Sequence, residues 1–389
     1  MNKLGIAIIG TGNIGFAHLD GFLKESDRCT IVALCNTHTD KCVKLLQDAG
    51  VSDMSNITIT PDYRTLLDRD DIDIVSVCLP PVLHKDVCCD FLKHGKHVLC
   101  EKPIASSLEE ADIMNAVSKE SGKLLGVISN NRFQQDAMNV KILLESGVLG
   151  KVLLTRINSL SFRGSNYYDL AWRGKWSTDG GGCTYNQGIH QIDMLVWYLG
   201  LPESLTAVCS NLTHTNSELE DTTMAILKYP DSLAQLTISL NNMSEKQSFI
   251  FECENATVSV PWSVKCKKSK ENGFPQDDSK AEAHFNKLFH ELPKLKNFGH
   301  DGQISNFIDA VREKDTLMVT GEDGKKALEL VDAIYKSSKE GKTVVLPISS
   351  DDTFYTRDGL IHAMPHYYEK TKNIDKVSGS ISLGDMTNK

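Results

Sequence analysis

Two short stretches of the chain hold the residue types that proton transfer needs. Glu101-Lys102-Pro103 sets an ammonium beside a carboxylate, and the proline fixes the backbone just after them. A lysine at a strand end in a cleft is partly desolvated, which pushes its pKa down towards values useful for moving a proton. Farther along, Gly180-Gly181-Gly182 precedes Asn186, His190 and Asp193, which recur at steps of four and three residues. At helical spacing these three share one face, offering an amide, an imidazole and a carboxylate together. His190 is the natural proton acceptor there, because its ordinary pKa lies nearest neutrality. The glycines ahead of it let backbone approach a flat ligand and leave room for a ring. A solvated helix face and a solvated surface lysine are the bland alternatives.

A third stretch has the chemistry of phosphate binding. Ile6-Ala7-Ile8-Ile9 is an apolar run suited to a strand buried on both faces, and it leads into Gly10-Thr11-Gly12-Asn13-Ile14-Gly15. From Phe16 to Leu23, apolar residues at 16, 19, 22 and 23 have helical spacing. Strand, glycine turn and helix form the context that a dinucleotide-binding fingerprint requires. Gly10 permits the tight turn, Gly12 lets the backbone approach a pyrophosphate, and Gly15 lets helix and strand pack closely. The helix N-terminus adds unpaired N–H groups and a positive dipole end. A ribose-binding acid is expected about 20 residues past the last glycine, and Asn36 stands there at the end of the strand Thr30–Cys35. Its amide can bond a ribose hydroxyl, and no arginine is near to welcome a 2′-phosphate. NAD is therefore the expected cofactor, with NADP left open.

These stretches need a scaffold, and the alternation supplies one. Helical patterns at Cys42–Ala49, Tyr63–Leu67 and Val82–His94 alternate with strands at Ile72–Leu79 and His97–Cys100. Such β-α-β repeats predict an open, doubly wound parallel sheet, with ligands at the carboxyl ends of its strands. Pro80 and Glu101 follow two of those ends. Alternating runs between Val152 and Leu240 predict an antiparallel sheet with one packed face and one more open face. Residues 265–298 are charged and irregular and read as a mobile insertion, while 303–312 and 324–336 read as amphipathic helices. In Tyr167–Trp176, aromatic rings suit the C–H faces of carbohydrate. The fork of Arg173 suits hydroxyls, carboxylate or phosphate. Core packing is an equal reading of the tryptophans. Glu220-Asp221, just before a strand, reads as structural.

A length of 389 residues predicts two or three domains. With 41% hydrophobic and 24% charged residues, the composition excludes wholesale disorder. A net charge of −9 gives no electrostatic footprint for phosphate backbones or anionic membranes, so no nucleic acid partner is expected. No apolar run approaches the roughly 18 residues a membrane span needs, and the N-terminus enters a strand pattern without room for a signal peptide. The 11 cysteines include no C-x-x-C pair, so no metal is expected. Several, like Cys78, sit in apolar runs as reduced thiols, which fits the cytoplasm.

Taken together, Gly10–Gly15, Gly95-Lys96-His97-Val98-Leu99-Cys100-Glu101-Lys102-Pro103, Asn131-Arg132-Phe133, and Gly180–Gly182 with His190 and Asp193 resemble the Gfo/Idh/MocA oxidoreductases, the glucose–fructose oxidoreductase and inositol dehydrogenase family. The similarity continues from Gly299-His300 through Leu346-Pro347 and spans roughly residues 4–348, with E-K-P as its most specific part. It implies an α/β fold with a Rossmann domain at 1–128. A substrate-binding and oligomerisation α/β domain with a large, mostly antiparallel sheet would follow at 129–348. A C-terminal extension of unassigned role would occupy 349–389.

The resemblance also implies NAD(P)-dependent hydride transfer on a hydroxyl or carbonyl of a sugar, sugar derivative or cyclitol. Lys102 and His190 would be catalytic. The cofactor would be held by Gly10, Thr11, Gly12, Asn13, Ile14, Gly15, Asn36, Pro80, His84, Glu101 and Lys102. Glu101 would touch the ribose or orient the lysine. Substrate would meet Lys102, Arg132, Tyr168, Trp172, Arg173, Asn186, His190 and Asp193. Asn186 departs from the aspartate that several relatives carry four residues before the histidine. A neutral amide cannot stabilise an imidazolium, so Asp193 would supply that charge. The open sheet face pairs subunits in relatives, which implies a dimer or tetramer. Two other functions suit the same fold. One is an NAD-dependent glycosidase or lyase working by transient oxidation, and the other is a non-catalytic dinucleotide-sensing regulator. Intact E-K-P and His190 argue against the regulator.

Overall fold

The apolar run at the N-terminus becomes β1 (Leu4–Ile9), a strand in which Ile6 to Ile9 are all buried. It lies at the centre of a parallel sheet because both of its faces must be covered. The computed structural model describes residues 2–374. These fall into two compact units, residues 2–133 with Lys296–Leu328, and Gln134–Leu295 with residues 329–374.

In the first unit, β1 is followed by α1 (Asn13–Lys24), β2 (Cys29–Cys35), α2 (Thr39–Asp48), β3 (Thr58–Thr60), β4 (Ile74–Val77), α3 (His84–Lys93), β5 (His97–Cys100), α4 (Leu108–Ser121) and β6 (Leu125–Val127). The strand order β3-β2-β1-β4-β5-β6, all parallel, is that of the doubly wound fold and puts the strand-order reversal beside β1. Tyr63–Leu66 is a single 3₁₀ turn rather than a longer helix, started by the Asp62 side chain accepting from Arg64 N.

In the second unit come α5 (Gln135–Glu145), β7 (Val152–Phe162), α6 (Trp176–Asp179), α7 (Ile189–Leu199), β8 (Ser204–Ser210), β9 (Thr222–Lys228), β10 (Leu233–Ser239), β11 (Asn241–Cys253), β12 (Thr257–Val260), β13 (Ser263–Lys265), β14 (Lys267–Ser269), β15 (Pro275–Asp277) and α8 (Ser279–Glu291). The chain then forms α9 (Gly299–Val311), α10 (Gly321–Glu340), β16 (Val344–Val345) and α11 (Arg357–Ala363). The second sheet has the order β13-β12-β11-β7-β10-β9-β8-β16 and is antiparallel apart from the β7–β10 pair. Its strands alternate, with Ala234, Leu236 and Ile238 buried on β10 while Leu233 and Gln235 are exposed.

Three expectations change. Residues 296–328 belong with the Rossmann unit, so boundaries at 128 and 348 do not coincide with the compact units. The cause is packing: Ile304, Phe307 and Ile308 of α9 join Leu19 and Phe22 in the core. A Cβ at Gly21 would lie 2.4 Å from Ile304 Cδ1. Residues 265–298 are not a featureless insertion. They fold into the β14–β15 hairpin and α8, which Asp278 caps and whose Phe285 and Phe289 are buried, with Trp262 stacked on Phe289 at 3.9 Å. The chain beyond Pro347 packs onto its own second unit as far as it is described. Phe354, Tyr355, Leu360 and Met364 are buried, and Ile374 bridges to Leu170. Residues 375–389 of the expected extension lie outside the described residues. All 11 cysteines are unpaired, and no described helix is long and apolar enough to cross a membrane.

Candidate functional site

Gly10 leaves β1 at φ 96°, and a Cβ there would lie 2.4 Å from the Cys78 carbonyl oxygen, so glycine is required. At Gly15 a Cβ would meet the Gly10 carbonyl oxygen at 2.8 Å. At Gly12 it would meet nothing within 4 Å, so backbone is open to an approaching group. Gly12 caps α1 without any side-chain hydrogen bond. The N–H groups of the first turn, which begins at Asn13 and Ile14, are thereby left for an anion. This cradle fits a dinucleotide pyrophosphate. Asn36 Nδ2 donates to Thr11 Oγ1 at 2.8 Å, and its Oδ1 accepts from His38 N at 2.9 Å, so the amide braces the glycine turn. Pro80 is exposed just past the carboxyl end of β4.

Glu101 follows β5 and is buried. Its Oε1 lies 2.9 Å from His18 Nε2, and its Oε2 accepts from the backbone N–H of Lys102 at 3.0 Å. His18 Nδ1 lies 2.6 Å from Ser76 Oγ on β4. Burial opposes charge on His18, but the Cys78 thiol and the Glu101 carboxylate outweigh it and carry the imidazole up to about 10. Burial likewise opposes charge on Glu101, which His18, with Lys102 and His300 beyond it, holds below the usual carboxylate range. His300 is lowered, first by burial and then by the charge on His18. Ligand atoms of His18, Glu101 and His300 lie within 4.8 Å of one another, a spacing that could hold a metal ion. Both His18 nitrogens are already engaged, so the cluster is arranged as an ion-pair network. Glu101 thus anchors the backbone of half-buried Lys102.

Two residues expected at the ligand are interior. His84 is fully buried, with Nδ1 2.9 Å from the Pro103 carbonyl oxygen and Nε2 2.8 Å from that of Leu79. Both ring nitrogens face backbone, so it ties together the loops after β4 and β5 rather than touching a coenzyme. Arg132 is 1% exposed and turns its guanidinium towards the Met318 carbonyl and Asp323 within the first unit. It is a structural residue of that unit.

In the second unit, Thr184–Gly188 is a π-helical turn that leads into α7. The wider turn takes Asn186 out of α-helical register with His190, so the three-residue face is not regular. Asn186 Nδ2 donates to the Gly181 carbonyl at 2.7 Å. Asn186 and His190 are half-buried, and Asp193 is buried. The glycine run serves packing rather than ligand space. A Cβ on Gly181 would lie 2.4 Å from Tyr335 Oη, and one on Gly182 2.1 Å from the Glu220 carbonyl oxygen. Fully buried Glu220 accepts from Gly182 N at 3.1 Å, Thr184 N at 3.0 Å and Tyr335 Oη at 2.9 Å. Burial raises its pKa against those bonds.

Tyr168 is 2% exposed and packs edge-on to Tyr167 and His214, so it is core and does not line a ligand site. Its neighbour Tyr167 is half-buried, and its hydroxyl accepts from Arg173 Nη1 and, at 2.9 Å, from Gln187 Nε2. The Arg173 guanidinium carbon lies 4.3 Å from the Tyr167 ring centroid and 4.1 Å from that of Trp172, which is 51% exposed. Trp176 is wholly buried. Sequence reasoning missed His18 and Gln187, and it named His300 only as part of the resemblance, without a role. The signal for His18 was a histidine inside the buried stripe 15, 18, 19 and 22 of α1.

Residues 4–129 match the NAD-binding Rossmann fold of the Gfo/Idh/MocA oxidoreductases, and residues 141–346 match that family's C-terminal alpha/beta domain. The chain belongs to the Gfo/Idh/MocA oxidoreductase family. Within it, an uncharacterised oxidoreductase of Schizosaccharomyces pombe is 29% identical over 62% of this chain and 64% of its own length. The 2,7-anhydro-N-acetylneuraminate hydratase of Mediterraneibacter gnavus is 30% identical over 57% of this chain and 56% of its own. The chain thus spans less than two thirds of these two curated relatives. Among solved structures, the WlbA dehydrogenase of Bordetella pertussis, in complex with NADH and UDP-GlcNAcA, superposes with a TM-score of 0.75 at 25% identity. That match covers 90% of this chain and all of the other.

Proposed function

We propose that this Gfo/Idh/MocA chain catalyses reversible hydride transfer between a secondary alcohol of a sugar, sugar derivative or cyclitol and the nicotinamide of NAD. The observation that carries the reading is the open glycine turn at Gly12, in a unit where Glu101, paired with His18, also anchors the backbone of Lys102. NAD, when bound, supplies the nicotinamide C4 that exchanges hydride with the carbinol carbon. The first-turn N–H groups of α1 hold its pyrophosphate. Lys102 binds the reacting oxygen and stabilises developing negative charge, while His190 takes the hydroxyl proton as general base. Asn186, Asp193, Trp172 and Arg173 orient the substrate. Curated relatives that support a polyol substrate include a scyllo-inositol 2-dehydrogenase (NADP(+)) of Bacillus subtilis, 24% identical over 89% of this chain and 97% of its own length.

The protein works in the cytoplasm, a setting in which its unpaired cysteines stay reduced. It pairs with copies of itself through the second sheet. Val208, Met224, Ile226, Leu233 and Val345 are at least half exposed on one face of that sheet, an apolar area that calls for a partner.

The test is a cofactor-reduction screen over sugars, sugar acids, glycosides, nucleotide sugars and inositols, run with NAD and NADP separately. The reading expects reduced nicotinamide to accumulate with at least one class and faster with NAD. Because one relative is named a hydratase, a second reading is transient oxidation with no net redox change. It expects product to form while nicotinamide absorbance stays level. Neither signal with any class would overturn both readings.

A further inference from the structure

Arg173 forms no direct ion pair with any described residue, although its charge, after the Gly174 N–H, helps to lower the burial-raised pKa of the neighbouring Asp179. Its Nη1 is used by the Tyr167 hydroxyl. Its Nε is buried without a hydrogen-bond partner among the described residues, and Nη2 bonds none of them. Nε and Nη2 are the two N–H groups along one edge of a guanidinium, the edge that takes both oxygens of a carboxylate in a parallel pair. Leaving a buried charged donor unpaired is costly, which marks the edge as lacking its partner. A second buried atom close by is in the same state. Gln187 Oε1 has no partner among the described residues, while Gln187 Nε2 holds the other side of the Tyr167 hydroxyl. Gln187 lies in the π-helical turn next to Asn186 and three residues before His190, so the unused edge is tied through Tyr167 to the segment that carries the proposed base.

We propose that the Nε–Nη2 edge of Arg173 is a carboxylate subsite and that the substrate is an acidic sugar, with Gln187 Oε1 accepting from a hydroxyl beside the acid group. This rests on the oxidoreductase reading and narrows its substrate class. A carboxylate is favoured because its two oxygens are coplanar with each other, as the two N–H groups are. A neutral polyol would give that edge no anionic partner.

The test compares glucuronate and galacturonate with glucose, galactose and glucose 6-phosphate, using the full chain with NAD. Wild type and the variants Arg173→Gln and Arg173→Lys are assayed together, with melting temperature as a check on folding. A paired carboxylate corresponds to a preference of about 10- to 100-fold in kcat/KM for the acids over the neutral sugars. Arg173→Gln is expected to collapse that ratio mainly through KM, and Arg173→Lys to restore part of it. Equal rates for acids and neutral sugars, or an equal loss for both in Arg173→Gln, would overturn the proposal. A preference for the phosphate ester over both acids would also overturn it. Calorimetric titration of the same acids into the NAD-loaded protein separates this inference from the reading it rests on. Acid binding that disappears in Arg173→Gln, without turnover, keeps the subsite and rejects the dehydrogenase. Turnover without acid preference does the reverse.

Discussion

The carboxylate of Glu101 sits among three groups able to carry positive charge, His18, Lys102 and His300, and it spends one oxygen on the first and the other on the backbone of the second. That arrangement anchors the backbone of Lys102. Replacing Lys102 by Met should lower kcat by about 10²-fold or more while cofactor affinity stays nearly unchanged, as read from single-turnover rates and a coenzyme titration. The pair also has a pH signature. His18 is raised from 6.5 to about 10, so its stabilising contribution is complete below about 6.5 and is lost progressively as pH climbs towards 10. Glu101 is lowered, so its contribution is present above the ordinary carboxylate range and is lost only in acid. Between about pH 7 and 9.5 the melting temperature should therefore fall more steeply for wild type than for His18→Gln; parallel slopes would contradict the ion pair. Glu101-Lys102-Pro103 stood out in the sequence through its place after an apolar strand and its resemblance to the family's E-K-P. His84 and Arg132 were misread because polarity in sequence does not reveal that backbone carbonyls will satisfy it.

At the level of elements, the glycine run and the turn into α7 carry the residues proposed to meet substrate in the second unit. Glu220 holds that turn by accepting two backbone N–H groups, and the glycines exist so that it can come close. Gly182→Ala would drive a Cβ to 2.1 Å from a backbone oxygen that cannot swing aside. It should destabilise the protein by about 1–3 kcal/mol, measured by denaturant titration. The four-and-three spacing of Asn186, His190 and Asp193 was legible as a helix, but a π-helical turn leaves no mark on such a pattern. In α8 the opposite error arose. Phe285 and Phe289 stand four residues apart behind the capping Asp278, yet the surrounding charges hid an amphipathic helix of ordinary kind.

The molecule as a whole is less sequential than its chain. The alternation of strands and helices foretold the parallel sheet, and period-two runs foretold the second sheet, because each pattern is the direct trace of which face is buried. What the pattern could not say is that α9 returns to the Rossmann core, since helical spacing shows that a face is buried but not against what. The open face of the second sheet belongs to this scale too. Ile226 is 62% exposed at its centre, and Ile226→Glu should convert the proposed dimer or tetramer towards monomer in light scattering; a wild type already monomeric would contradict self-association.

Hydride transfer itself is tested by following the atom. A substrate identified in the cofactor screen, deuterated at the carbinol carbon, should pass deuterium to nicotinamide C4, read by mass spectrometry of the recovered coenzyme. Wild type should show this transfer, and Lys102→Met should slow it by about 10²-fold. Product formed while the coenzyme stays free of deuterium throughout the turnover would contradict the account.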